Sequence, residues 1–194
     1  MKTKRNTSMK SILKLILLTT CIVSVVSCST ESISDLSEGD LTSVELKSGK
    51  KVERPISIVL EGIDDLDGIG GTFSGRMTHL GKIHGTVGDG TFLPNPDEVG
   101  TFIFTSTEDD VVIAANGDQL FSRSSLIFVP TSANSFTYTG TISFVGGTGR
   151  FAGVPEENGG SMQIDNGAYT IIGPNDIGGF QGTTSHTGAG TIIY

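Results

Sequence analysis

The chain has 194 residues, and its 21 acidic against 13 basic side chains give a net charge of −8. No stretch interleaves Lys or Arg with aromatic residues as a nucleic-acid platform would, so DNA and RNA are excluded as partners. Two cysteines leave no disulfide framework or Cys-based zinc site, so stability has to come from an apolar core, to which ten phenylalanines and no tryptophan contribute.

The first 28 residues read as an export signal. Lys2, Lys4, Arg5, Lys10 and Lys14 precede the largely apolar run from Leu15 to Val26. Its uninterrupted apolar part is too short for the roughly 20 residues a membrane helix requires, and Thr19, Thr20, Ser24 and Ser27 dilute it. Val25-Val26-Ser27-Cys28 resembles the cleavage box of bacterial lipoproteins, which implies that Cys28 becomes the lipid-bearing first residue of the mature protein. Cys21 is the poorer anchor, because Leu18-Thr19-Thr20 lacks the small residue expected before the cleavage point. Loss of this segment removes five bases and no acid, leaving 8 bases against 21 acids and a mature charge of −13. The expected location is the bacterial cell envelope, by lipid anchor. Ser29, in place of the aspartate linked to inner-membrane retention, points to the outer membrane.

Residues 29–54 are rich in Ser, Thr, Glu, Asp and Lys without sustained periodicity, and read as a flexible tether. The folded domain is expected over residues 55–194, enough for one core. Short runs of Val, Ile, Thr, Phe and Tyr bounded by Gly, Asn and Asp predict an all-β domain. Gly-Thr recurs at 71, 85, 90, 100, 140, 147, 182 and 190 at irregular spacing, which is hairpin grammar and not a solenoid repeat. In chain order the predicted strands are Ile56–Glu61, a long Gly71–Val87 bent at Gly81, and Val99–Ser106 after the Pro94-Asn95-Pro96 loop. Val111–Ala115 and Gln119–Val129 follow around an Asn116-Gly117-Asp118 hairpin, whose Asn-Gly suits positive φ. Ser135–Val145, a Met162–Ile164 and Tyr169–Ile172 hairpin around Asp165-Asn166-Gly167, and Phe180–Tyr194 complete the set. About eight antiparallel strands are best closed into a barrel, since closure removes exposed edges.

Val145-Gly146-Gly147-Thr148-Gly149-Arg150-Phe151-Ala152-Gly153 resembles the Gly-Gly-Thr-Gly-x-Phe-x-Gly hairpin of plant allene oxide cyclases and dirigent proteins. With Thr78–Lys82, Ala115–Leu120 and Gly190–Tyr194, the order is similar to that of small secreted bacterial proteins of the same superfamily. The resemblance implies an eight-stranded, calycin-like antiparallel barrel, with a homotrimer suggested by the plant members. It carries over no pocket residue. In the glycine hairpin, Gly146, Gly147 and Gly149 are expected to take positive φ while Phe151 turns inward as a plug and Arg150 lies outside. The hairpin lacks the Gly-Lys-Ser/Thr ending and the following helix of a phosphate loop.

Strict alternation along Gly71–Val87 puts Phe73, Met77, His79, Ile83 and Val87 on one face, so His79 is expected to point inward as the polar contributor. His84 and His186 are expected at the surface, and three scattered histidines make a poor zinc site. The acids, among them Asp64, Asp65 and Asp110, fall in expected turns. Asp65-Leu66-Asp67-Gly68 could sketch part of a calcium loop but lacks further ligands. No Gly-x-Ser-x-Gly elbow and no cysteine nucleophile remains, so no catalytic residue, metal or cofactor is assigned. The interior of such a barrel fits packed side chains or one small ligand, with His79, Phe73, Met77, Phe102 and Phe104 as the expected ligand-binding residues. The expected function is a lipid-anchored protein binding a small apolar molecule or acting as an accessory scaffold. The alternatives are a non-covalent isomerase or cyclase working on a hydrophobic substrate in the cavity, and a purely structural envelope protein.

Overall fold

Ile56, Ile58 and Leu60 are buried while Ser57, Val59 and Glu61 between them face solvent, the period of a half-buried strand. The same alternation builds the rest of the domain. The computed structural model describes residues 51–65, 70–176 and 179–194. The export signal, Cys28 and most of the tether lie outside the described residues.

Ten strands form one antiparallel sheet: β1 (Glu53–Asp65), β2 (Gly70–Met77), β3 (Gly81–Val87), β4 (Gly90–Pro94), β5 (Phe102–Ser106), β6 (Asp110–Ala114), β7 (Gln119–Ser132), β8 (Ser135–Gly147), β9 (Gly160–Pro174) and β10 (Phe180–Ile193). Eight of them close a ring, β1-β2-β3-β6-β7-β8-β9-β10 and back to β1, and the β7–β8 pairing is what shuts it. β1 starts two residues before the expected boundary at Pro55, because Glu53 and Arg54 pair with Ile193 and Ile192. β4 and β5 lie outside the ring. They continue the β3–β6 ribbon past a break at Gly88-Asp89, and β5 takes residues 125–128 of β7 where β6 leaves off after residue 122.

Three expectations need correction here. The long Gly71–Val87 strand is two strands, β2 and β3, separated by a tight turn at Thr78–Leu80 in which His79 has φ 68° and Gly81 has φ 75°. The turn interrupts alternation, so His79 is exposed in the bend and does not point inward. Asp165-Asn166-Gly167 is no hairpin. β9 runs straight through it, with register shifts against both neighbours, and Asn166 Oδ1 accepts from the backbone N–H (3.1 Å) and hydroxyl (2.6 Å) of Thr187 on β10. The third correction is β4, which composition hid beside Pro94 and Pro96.

The Asn116-Gly117 turn forms as expected, with Gly117 at φ 89°. Beyond β8 the glycine hairpin makes a single 3₁₀ turn, Gly149–Phe151, that buries Phe151 completely and leaves Arg150 outside against Asp118. Gly149 needs the left-handed region at φ 57°. Gly147 answers to crowding instead, since a Cβ there would lie 2.6 Å from that of Phe151. The core of the ring runs from Leu80, Leu120, Phe151 and Ile192 at this end to Phe128, Tyr138 and Tyr169 near the other.

Candidate ligand cavity

Inside the ring lies a cavity of about 70 Å³. Its walls are mostly apolar, with Leu60, Phe73, Met77, Phe104, Phe128 and Met162 among them. Polar groups reach it from five strands. On β1 the inward parity of Ile58 and Leu60 continues through Gly62 to Asp64, and on β6 the parity of Val112 and Ala114 starts at Asp110. Ser122 and Ser124 alternate inward between Leu120 and Leu126 on β7. Tyr138 on β8, Thr184 and His186 on β10, and Asp65 next to Asp64 complete the set.

Two hydrogen-bond clusters organise these groups. Asp110 Oδ1 accepts from the Gly88 N–H at 2.9 Å, while its Oδ2 accepts from the Ser124 hydroxyl at 3.0 Å and the Ser122 hydroxyl at 3.4 Å. This carboxyl thereby braces the point where the β3–β6 ribbon breaks. In the second cluster the Tyr138 hydroxyl lies 2.7 Å from Thr184 Oγ1, 2.8 Å from His186 Nδ1 and 3.3 Å from the Ser185 carbonyl. Nearby, the Tyr169 hydroxyl donates to the Asp64 carbonyl at 2.9 Å. His186 Nε2 is buried and has no hydrogen-bond partner among the described residues.

Burial governs the charge states. It pushes the Asp64 carboxyl up to about 7, with the charge of Asp110 adding to the effect and the Asp65 N–H opposing it. It pushes Asp110 up to about 6, against the bonds from Gly88, Ser124 and Ser122. Tyr138 is raised above the ordinary phenol range, chiefly by burial, and His186 is pushed down to about 4 by the same cause. Among the described residues no Lys or Arg lines the cavity. At neutral pH it therefore presents a neutral imidazole, a neutral phenol and, at Asp64 and Asp110, carboxyls near their titration points. Such a lining suits hydrogen bonding to a small molecule or exchange of a proton with one.

Of the residues expected to bind a ligand, Phe73, Met77 and Phe104 line the cavity. Phe102 does not. It lies where β5 has passed beyond the ring, half-buried and stacked on Phe92 at 5.1 Å between centroids. His79 is far from this role, its Nε2 resting 3.1 Å from the Pro55 carbonyl in the exposed turn. The histidine that does reach the cavity is His186, expected at the surface; His84 is exposed. Asp64 and Asp110, expected in turns, sit inside. Asp65 also lines the cavity, while Asp67 and Gly68 of the sketched calcium loop lie outside the described residues. Among the described residues no group of three or more His, Cys, Asp or Glu side chains is placed to hold a metal ion.

Compared with known proteins, the chain matches no family model, no curated protein and no solved structure.

Proposed function

We propose that this chain is an envelope lipoprotein whose strand ring is an allene oxide cyclase-like, calycin-type barrel that binds a small, largely apolar molecule. The observation that carries the reading is the cavity itself, an apolar chamber of about 70 Å³ with a confined set of polar groups on its wall. A protein that served only as a scaffold would gain stability by filling that space with side chains, and would have no use for buried carboxyls and an imidazole around it. In this reading Cys28 carries the lipid and holds the domain at the outer membrane, residues 29–52 give it reach, and copies associate as trimers.

Native mass spectrometry of the protein purified from its own host tests this. A retained mass of small-molecule size, lost on denaturation, is the expected result, and the subunit mass reports a trimer. A bare protein that also shows no shift of cavity resonances in an NMR screen of small apolar compounds overturns the binding reading. Labelled palmitate incorporated by the wild type and not by Cys28→Ala tests the anchor.

A second reading, an isomerase acting by proton transfer without covalent chemistry, is favoured by Asp64 alone. Its carboxyl sits at about 7 inside the chamber, where it can both take and give a proton at neutral pH. Turnover of a retained ligand that disappears in Asp64→Asn separates the two.

A further inference from the structure

We infer that the cavity selects an uncharged ligand bearing an acceptor oxygen, a carbonyl group above all, and that the Nε2–H of His186 is the donor that reads it. This deepens the ligand-binding reading and rests on it. The argument starts from the hydrogen on the imidazole. The Tyr138 hydroxyl has one hydrogen to give and three acceptors within reach. His186 Nδ1 at 2.8 Å is closer than the Ser185 carbonyl at 3.3 Å, and we assign Thr184 Oγ1 at 2.7 Å, which has a hydrogen of its own, as the donor to the phenol oxygen. With Nδ1 accepting, a neutral imidazole carries its hydrogen on Nε2. That nitrogen is buried and meets no acceptor among the described residues. By contrast the Tyr138, Thr184, Ser122, Ser124 and Asp110 groups of the lining all have partners in the protein. A buried donor without an acceptor is costly, and a ligand oxygen returns that cost.

Charge narrows the class. A protonated amine would find the carboxyls of Asp64, Asp65 and Asp110, but it would set its own N–H groups against that of His186 and leave that donor without an acceptor. An anion would enter a chamber lined by Asp64, Asp65 and Asp110, with no Lys or Arg among the described residues to receive it. An uncharged acceptor meets neither obstacle. The space of about 70 Å³ is roughly half the 150 Å³ of a cavity that takes benzene, so the recognised part is a group of a few heavy atoms with short alkyl arms.

The experiment uses three probes of equal size on the purified full chain: 2-butanone, 2-methyl-1-butene and 2-aminobutane. Binding is followed by NMR with ¹⁵N-labelled histidine. The expected result is 2-butanone binding about tenfold tighter than the alkene, the worth of one hydrogen bond, with the His186 Nε2 resonance that of a protonated nitrogen and shifting on binding. His186→Phe should bring the ketone down to the alkene's affinity. Should that variant not fold, the wild-type ratio and the Nε2 resonance still decide. Equal affinity for ketone and alkene, tightest binding of the amine, or an unprotonated Nε2 each overturns the inference while leaving a ligand cavity in place. If no probe binds, the cavity reading falls and the inference with it.

Discussion

Tyr138 and His186, 48 positions apart in the chain, meet through a 2.8 Å contact between the phenol oxygen and Nδ1. The contact exists because Tyr138 projects inward from β8 across the strip where Gly167 on β9 leaves no Cβ, a site where a larger residue would collide with the tyrosine ring. Tyr138→Phe keeps the ring and its stacking on Phe128 at 4.8 Å but leaves Thr184, Ser185 and His186 short of a partner. The variant should be less stable by about 1–3 kcal/mol in urea unfolding, the range for orphaned buried polar groups. An unchanged midpoint would mean that the hydroxyl is not part of a satisfied network.

The pH dependence of stability should betray Asp64. Its folded value is raised from 3.8 to about 7, so the folded state holds the proton more tightly than the unfolded chain. Its stabilising contribution is then complete below about pH 4 and is lost as pH rises through about 7, a loss on the order of 4 kcal/mol. Asp64→Asn should remove that contribution, leave the smaller loss of the same sign from Asp110, whose folded value is about 6, and be the more stable protein at pH 8. His186 acts with the opposite sign. Its folded value is depressed to about 4, so its contribution is present above about pH 6.5 and lost as pH falls toward 4. Unfolding free energies measured from pH 4 to 8 on both proteins decide the matter, and a wild-type curve flat between pH 5 and 8 would refute the buried-carboxyl account.

Much of the fold was open to reading because alternation is a local signal. Ile56, Ile58 and Leu60 announce β1, Asn116-Gly117 announces its turn, and Phe151 goes inward as the glycine hairpin suggests. The polar side of the cavity was concealed for reasons that are equally physical. Asp64 and Asp110 continue the inward parity of their strands, yet aspartate near Gly or another Asp also favours turns, and sequence alone does not say which wins. On β10 the inward positions around Thr184 and His186 are Gly182, Gly188 and Gly190, the first two emptied to admit the side chains of Tyr169 and Ile164 and the third crowded by the backbone of Ser161 and Met162 on the next strand. Ile192 is the nearest buried apolar side chain on that face and stands six positions from His186, so the stretch around the histidine had no marker and His186 looked like a surface residue. His79 misled in the opposite way, since a non-glycine residue at φ 68° leaves no trace in the pattern around it.

Gly149 offers a direct test of the hairpin. At φ 57° it sits where an L side chain is strained, and a Cβ would run into the carboxylate of Asp118. That carboxylate is held by the Asn116 amide at 2.8 Å and the backbone N–H of Arg150 at 3.3 Å, and these bonds, that of Asn116 foremost, hold its pKa below the usual carboxylate range. Gly149→Ala should therefore cost about 1–2 kcal/mol, more than the conformational term alone. A thermal scan in which the alanine variant melts with or above the wild type would sink this account of the turn.

The last test compares two glycines on neighbouring strands that the sequence does not distinguish. At Gly182 a Cβ would strike the ring of Tyr169, whose hydroxyl holds the Asp64 carbonyl at 2.9 Å, whereas at Gly173 nothing stands within 4 Å and φ is not positive. Gly182→Ala should lose about 1–3 kcal/mol by overpacking and shift the resonances of Asp64 and its neighbours. Gly173→Ala should be neutral or gain up to about 1 kcal/mol, because the unfolded chain alone loses freedom. Chemical unfolding of the two variants side by side checks the contrast. If both behave alike, glycine on these strands serves the backbone and not the space inside the ring, and Tyr169 is not seated against β10.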